Sequence, residues 1–227
     1  MKILKIQTRG ILFDMDGVLV SSLGSVERSW HRWAIEYGVD PELAICTAHG
    51  CRALDTVRFL RPDIDAQAGL QRIEDLEVED NEGLEILPGV PELLAKLPAG
   101  SWTVVTSATE RLARVRMQHG GIPVPERFIT ADLVANGKPH PEPYLKGAEL
   151  LGLAPADCLV IEDAASGTKA GHAAGCKVLA TLFSHSIESL AAADWIVESL
   201  KDVSLHFDNG LIELEFTPVD REAAVAR

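Results

Sequence analysis

Gly10-Ile11-Leu12-Phe13-Asp14-Met15-Asp16-Gly17-Val18-Leu19 is the stretch from which the fold is read. Its first half is a short apolar run of the kind that forms a buried strand. The run ends in two carboxylates, Asp14 and Asp16. Two acids so close at a strand end are costly unless a cation shares the space. Mg²⁺ would relieve that repulsion, because it prefers oxygen ligands and takes few protein carboxylates. Gly17 permits a sharp exit and lets backbone approach a ligand. Asp and Gly after a strand also form plain turns, so the stretch takes its meaning from the rest of the chain.

Outward from it, apolar runs recur at 102–106, 127–130, 158–162, 177–181 and 194–197. Helical patterns lie between and around them at 91–97, 110–120, 142–151, 167–174 and 186–191. Such alternation predicts an α/β, three-layer Rossmann-like core with a mostly parallel sheet and helices on both faces. One interval departs from it. From 22 to 87 the patterns are helical (22–37, 41–49, 52–60 and 66–80) with no strand, and Val26, Trp30, Trp33 and Ile35 fall near one face. This predicts an inserted all-helical domain at 21–87, with 1–20 and 88–227 forming the core. Pro88-Gly89 marks the far boundary. The acidic run Glu74, Asp75, Glu77, Glu79, Asp80 and Glu82 reads as a solvated helix face. Asn209-Gly210 between apolar alternations predicts a hairpin, and 219–227 reads as a frayed end.

The bulk properties limit the partners. The chain has 227 residues, 47% of them hydrophobic, and a formal net charge of −13. That is enough apolar material for a substantial core. The acidity repels nucleic acid and anionic membrane, so neither is expected as a partner. It would also repel a small phosphorylated metabolite, so a site for one must carry its own positive charge. Four cysteines without a Cys-x-x-Cys pair predict reduced thiols and a cytoplasmic location. The first ten residues lack the features of a signal peptide, no apolar run approaches a membrane span, and a monomer is expected.

Three further groups have the chemistry such a site needs. The run at 102–106 ends in Thr106-Ser107, whose hydroxyls and the neighbouring N–H groups suit phosphate oxygens. Lys138 stands in Gly137-Lys138-Pro139-His140-Pro141-Glu142-Pro143, where prolines fix the backbone that aims it. The run at 158–162 leads into a second acidic pair, Glu162-Asp163. In an open α/β sheet the C-terminal strand ends converge on one crevice. Carboxylates would hold a cation there; the cation, the hydroxyls and Lys138 would hold an anion.

In this order, Asp14-x-Asp16-Gly17, Thr106, Lys138 and Glu162-Asp163 resemble the four motifs of the haloacid dehalogenase-like superfamily, and the helical insertion resembles its cap. The segments 125–131 and 137–147, with His49-Gly50-x-Arg52, are similar to its glycerol-phosphate and sugar-phosphate phosphatases. Val18 stands where the common pattern has Thr, and Ser21 where it often has Asp. The resemblance implies that Asp14 attacks phosphorus and that Asp16 is the acid–base partner. It implies Mg²⁺ on the side chains of Asp14 and Asp163 and the carbonyl of Asp16, with Glu162 orienting those ligands. Thr106, Ser107, Ala108 and Lys138 would bind the phosphoryl oxygens. His49 and Arg52 would reach the substrate from the cap.

The same core residues would serve a phosphosugar mutase of the β-phosphoglucomutase type. The His-Gly-x-Arg segment and the Lys138 loop favour the phosphatase. Dehalogenation ranks low, since Asp16 would have no leaving oxygen to protonate. A non-catalytic binding protein is a further reading, and the complete motif set argues against it.

Overall fold

The computed structural model describes residues 3–221. In chain order its strands and helices are β1 (Leu4–Thr8), β2 (Gly10–Phe13), β3 (Val20–Ser21), α1 (Leu23–Tyr37), α2 (Pro41–Ala48), α3 (Ala53–Leu60), α4 (Ala66–Glu79), β4 (Glu85–Ile86), α5 (Val90–Leu94), β5 (Trp102–Val104), α6 (Glu110–His119), α7 (Glu142–Leu150), β6 (Cys158–Glu162), α8 (Ala165–Ala173), β7 (Lys177–Thr181), β8 (Trp195–Val197), β9 (Ser204–Asp208) and β10 (Leu211–Phe216).

The central sheet is parallel, with order β5-β2-β6-β7-β8. Strand alternation divides the core in two. Ile11, Phe13, Val104, Leu159, Ile161 and Leu179 face α5 and α6 on one side. Leu12, Val105, Val160, Val178 and Ala180 face α7 and α8 on the other. Burial on both faces explains why these strands read as unbroken apolar runs. The chain leaves β2 for β5 on one side and later returns to β6 on the other. The end of β2 is therefore the topological switch point of the sheet, where α/β folds place their ligands.

Helices α1 to α4 form a separate bundle around Trp30, Trp33, Ala44, Val57, Ile73 and Leu76. The Trp33 indole N–H donates to the Gly69 carbonyl at 3.0 Å, and its ring stacks on Tyr37 with centroids 4.5 Å apart. The two chain crossings that join bundle and core are stitched together. Val20 pairs with Ile86 and Ser21 with Glu85, antiparallel, and the Leu87 N–H donates to the Leu19 carbonyl.

Several local expectations are corrected. The stretch 127–130 is not a strand; only Ile129 bridges to Val105, and Pro125 ahead of it limits the pairing. The interval 22–87 does contain a strand, β4, because each crossing needs a backbone partner and the other supplies it. Residues 186–191 form turns rather than a helix; N–H groups reach back three or four residues to Ser186 and Ile187 without propagating. β1 was hidden because only Arg9 separates it from β2. It pairs with β10, which pairs with β9, in an antiparallel sheet whose inner residues Leu205, Ile212, Leu214 and Phe216 extend the α5–α6 core. The β9–β10 hairpin turns on Asn209 and Gly210, both at positive φ, as an Asn-Gly turn of this length requires. The end at 219–227 is ordered as far as described: the Val219 N–H donates to the Ile196 carbonyl at 2.8 Å. Residues 222–227 lie outside the described residues.

Candidate active site

Asp14 follows β2 directly, and its N–H donates to the Ile161 carbonyl of β6 at 2.9 Å. It is buried, as are Thr106, Lys138, Glu162 and Asp163. Lys138 Nζ lies 2.6 Å from Asp14 Oδ1 and 2.7 Å from Glu162 Oε1, and donates to the Val105 carbonyl at 3.1 Å. The loop that aims it is pinned by Glu142, whose carboxylate accepts from the N–H groups of Ala135 and Asn136 at 2.8 and 2.9 Å. Glu162 is fully engaged. Oε1 also accepts from the Tyr144 hydroxyl at 2.8 Å, and Oε2 from the N–H groups of Asp163 and Ala164 at 2.9 Å.

Asp14, Glu162 and Asp163 each bring one oxygen within 4.8 Å of the others. One ammonium among three buried carboxylates leaves the site short of positive charge. Burial pushes Asp14 up to about 7, against the pull of Lys138 and with further push from Glu162 and Asp16. Burial, then Glu162 and Asp14, hold Asp163 well above the carboxylate range. Burial alone would lower Lys138, but Asp14 and Glu162 outweigh it and raise it above its ordinary value. An all-oxygen donor set with surplus negative charge fits a hard divalent cation. Space has been left around it. A Cβ at Gly17, whose φ is +80°, would lie 1.9 Å from Asp163 Oδ2, and one at Gly167 would lie 1.6 Å from Glu162 Oε1.

The remaining expected residues surround a cavity of about 450 Å³ between core and helical bundle, lined among others by Asp14, Thr106, Ser107, Ala108, His49 and Arg52. The Ala108 N–H is directed at the Thr106 hydroxyl, 3.0 Å away. His49 caps the end of α2, and its Nε2 is buried with no hydrogen-bond partner. Arg52 is committed elsewhere. It pairs with Asp55 through two nitrogens at 2.7 and 3.0 Å, and Nη1 donates to the Val134 carbonyl at 2.9 Å. It lies so close to Gly137 that a Cβ there would meet Nε at 2.6 Å. Arg52 thus ties the bundle to the loop carrying Lys138. Val18 sits in the apolar core.

Several residues of the site were not singled out from sequence. Asp16 Oδ1 accepts from the Ser22 hydroxyl at 2.6 Å and lies 2.9 Å from Arg116 Nη1. Arg116 Nη2 reaches Glu77 at 3.1 Å. Ser184 donates to Asp163 Oδ2, and its oxygen lies 2.6 Å from His185 Nδ1. The acidic run is corrected here. Glu74 and Glu77 are buried rather than solvated. They share the inner face of α4 with Ile73 and Leu76, and meet Thr109, Arg111 and Arg116. The signal lay in spacing: positions 73, 76 and 77 recur at helical intervals.

Comparison with known proteins accords with this geometry. A family model described as haloacid dehalogenase-like hydrolase matches residues 11–181. Hexitol phosphatase A of Escherichia coli is 41% identical over 202 residues, covering 87% of this chain and 94% of that protein. Glycerol-1-phosphate phosphohydrolase 2 of Saccharomyces cerevisiae is 34% identical, covering 89% and 86%. Among solved structures, CbbY from Rhodobacter sphaeroides, crystallised with phosphate, superposes with a TM-score of 0.74 at 24% identity, covering 86% of this chain and 96% of that one. The chain belongs to the haloacid dehalogenase-like hydrolase family.

Proposed function

We propose that the protein is a Mg²⁺-dependent phosphatase of small sugar or polyol phosphate monoesters. The observation that carries the reading is the meeting of Asp14, Lys138, Glu162 and Asp163 in the cavity between core and helical bundle, at the switch point of the sheet. The names of the relatives support the substrate class, since they act on hexitol and glycerol phosphates.

In this mechanism Asp14 attacks the phosphorus with its free carboxylate oxygen while Lys138 holds Oδ1. The P–O bond to the alcohol breaks, and Asp16 gives its proton to the departing oxygen. Asp16 then takes a proton from water as that water attacks the aspartyl-phosphate, which releases phosphate and restores Asp14. Lys138, Thr106 and the N–H groups at 107 and 108 stabilise the phosphoryl oxygens, the Ala108 N–H turning from the Thr106 hydroxyl to do so. Glu162 orients Lys138 and the Asp163 backbone. Asp14 and Asp163, with the Asp16 carbonyl, would hold Mg²⁺, which when bound supplies charge to offset that on the phosphoryl group. The segment 21–87 acts as a cap over the site, and His49, with an unpaired buried nitrogen, is its candidate for contacting a substrate hydroxyl.

The test is a phosphate-release screen of the purified protein with MgCl₂ across glycerol, hexose and hexitol phosphates. Release from at least one such ester is expected. Isomerisation of a sugar phosphate without release would point to the mutase, and no reaction on any ester would overturn the phosphatase.

A further inference from the structure

Arg116 is a buried arginine in the last turn of α6, with its side chain 3% exposed. Helix α6 buries Leu112, Ala113 and Met117 beside it. A guanidinium on such a face is costly to desolvate, and a buried ion pair is weak evidence of stabilisation. Its partners show what it holds. Nη1 lies 2.9 Å from Asp16 Oδ1, and Nη2 lies 3.1 Å from Glu77 Oε1 on α4. Glu77 is itself buried. The planar fork of an arginine fixes the relative placement of two such partners, which a lysine could not.

Asp16 is held from a second side. Ser22, the residue preceding α1, donates to the same Oδ1 at 2.6 Å. No hydrogen bond from the described residues falls on Oδ2, which leaves that oxygen for a proton in transit. The end of α6 also abuts the crossing between core and cap, since a Cβ at Gly120 would lie 2.9 Å from Val20 Cγ1. Ser22 of the cap segment and Arg116 of a core helix thus meet on a single carboxylate, and Glu77 of the cap segment holds the arginine.

We propose that Arg116 is a positioning residue that fixes the Asp16 carboxylate for proton transfer and, through Glu77, makes that placement depend on the seating of the cap. The inference rests on the phosphatase reading above and on Asp16 as its acid. It assigns α4 a role in catalysis as well as in enclosing the substrate. Without the Glu77 contact, Arg116 would keep only one of its two anchors, and its hold on the direction of the Asp16 carboxylate would loosen.

A leaving group that needs no proton separates this role from a merely structural one. A hexitol 6-phosphate departs as an alkoxide unless it is protonated, whereas p-nitrophenyl phosphate departs as a stable phenolate. The value of kcat/KM covers the first, acid-assisted step for both. Arg116→Met is expected to lower kcat/KM for the hexitol ester by about 100-fold and for the nitrophenyl ester by no more than about threefold. Glu77→Gln, which keeps the shape of the side chain, is expected to show the same asymmetry at about tenfold. If Arg116→Met fails to fold, Glu77→Gln carries the test. Equal losses on both esters, or no loss on either, would overturn the proposal. Asp16→Asn measured alongside distinguishes the two failures. If it too shows no asymmetry, the acid assignment falls; if it alone shows asymmetry, only the role of Arg116 falls.

Discussion

Gly17 and Asp163 share one space: a Cβ on the first would sit 1.9 Å from Oδ2 of the second. The residues are far apart in the chain, yet one backbone leaves β2 through the room that the other's carboxylate needs. The positive φ of Gly17, +80°, makes this possible and adds its own demand, since side chains are disfavoured there.

Gly17→Ala therefore carries two penalties. The left-handed backbone costs about 1–2 kcal/mol with a side chain, and Asp163 must move. The variant is expected to melt lower than the wild type and to lose most of the thermal stabilisation given by MgCl₂. A variant that melts lower but keeps the full Mg²⁺ response would show that Asp163 does not need that space.

Lys138 is the sole ammonium among Asp14, Glu162 and Asp163 in the described structure. Lys138→Met leaves buried carboxylates without it, a change expected to cost about 3–5 kcal/mol in stability. Denaturant titration in EDTA measures this. Phosphate release should fall at least about 100-fold, because a donor aimed at the phosphoryl oxygens is lost. Wild-type stability in EDTA would show that the carboxylates are neutralised some other way.

The metal-free site has a defined pH dependence. Asp14 titrates near 7 in the fold against a reference of 3.8, and Asp163 is raised as well. Between those values the folded protein holds protons that the unfolded chain has lost. The site's contribution to stability is thus full below the unfolded value and declines as pH rises through about 7. Cation binding requires the deprotonated carboxylates and removes that decline. MgCl₂ should raise Tm more at about pH 8 than at about pH 5. An equal rise at both would contradict the placement of the cation.

The parts of the site legible in sequence were those whose residue types conflict with their local setting. Asp14-x-Asp16 and Glu162-Asp163 stand where apolar strands end, and repulsion between them has few remedies. Lys138 was legible because prolines crowd it. Arg116 was not. It is one of three arginines in Glu110–His119, and only its register with Leu112 and Ala113, four and three residues before it, marks it as the one facing inward. Glu77 was misread for a related reason: an acidic run looks solvated until its partners, which come from another segment, are known. Arg52 stands out in sequence as a residue for substrate; its pairing with Asp55, three residues on, follows ordinary helical spacing, whereas its bond to the Val134 carbonyl comes from a distant segment that nothing local reveals. The pairing of β3 with β4 was invisible, being two residues on each side and dictated only by where the chain crosses between core and bundle.

The central claim is that Asp14 is the attacking carboxylate. Asp14→Asn keeps the size and one oxygen of the side chain while removing its nucleophilic charge. With MgCl₂ and the best ester of the screen, the account predicts that phosphate release falls by at least about 10⁴-fold while the protein still melts cooperatively. Release within about tenfold of wild type would contradict it.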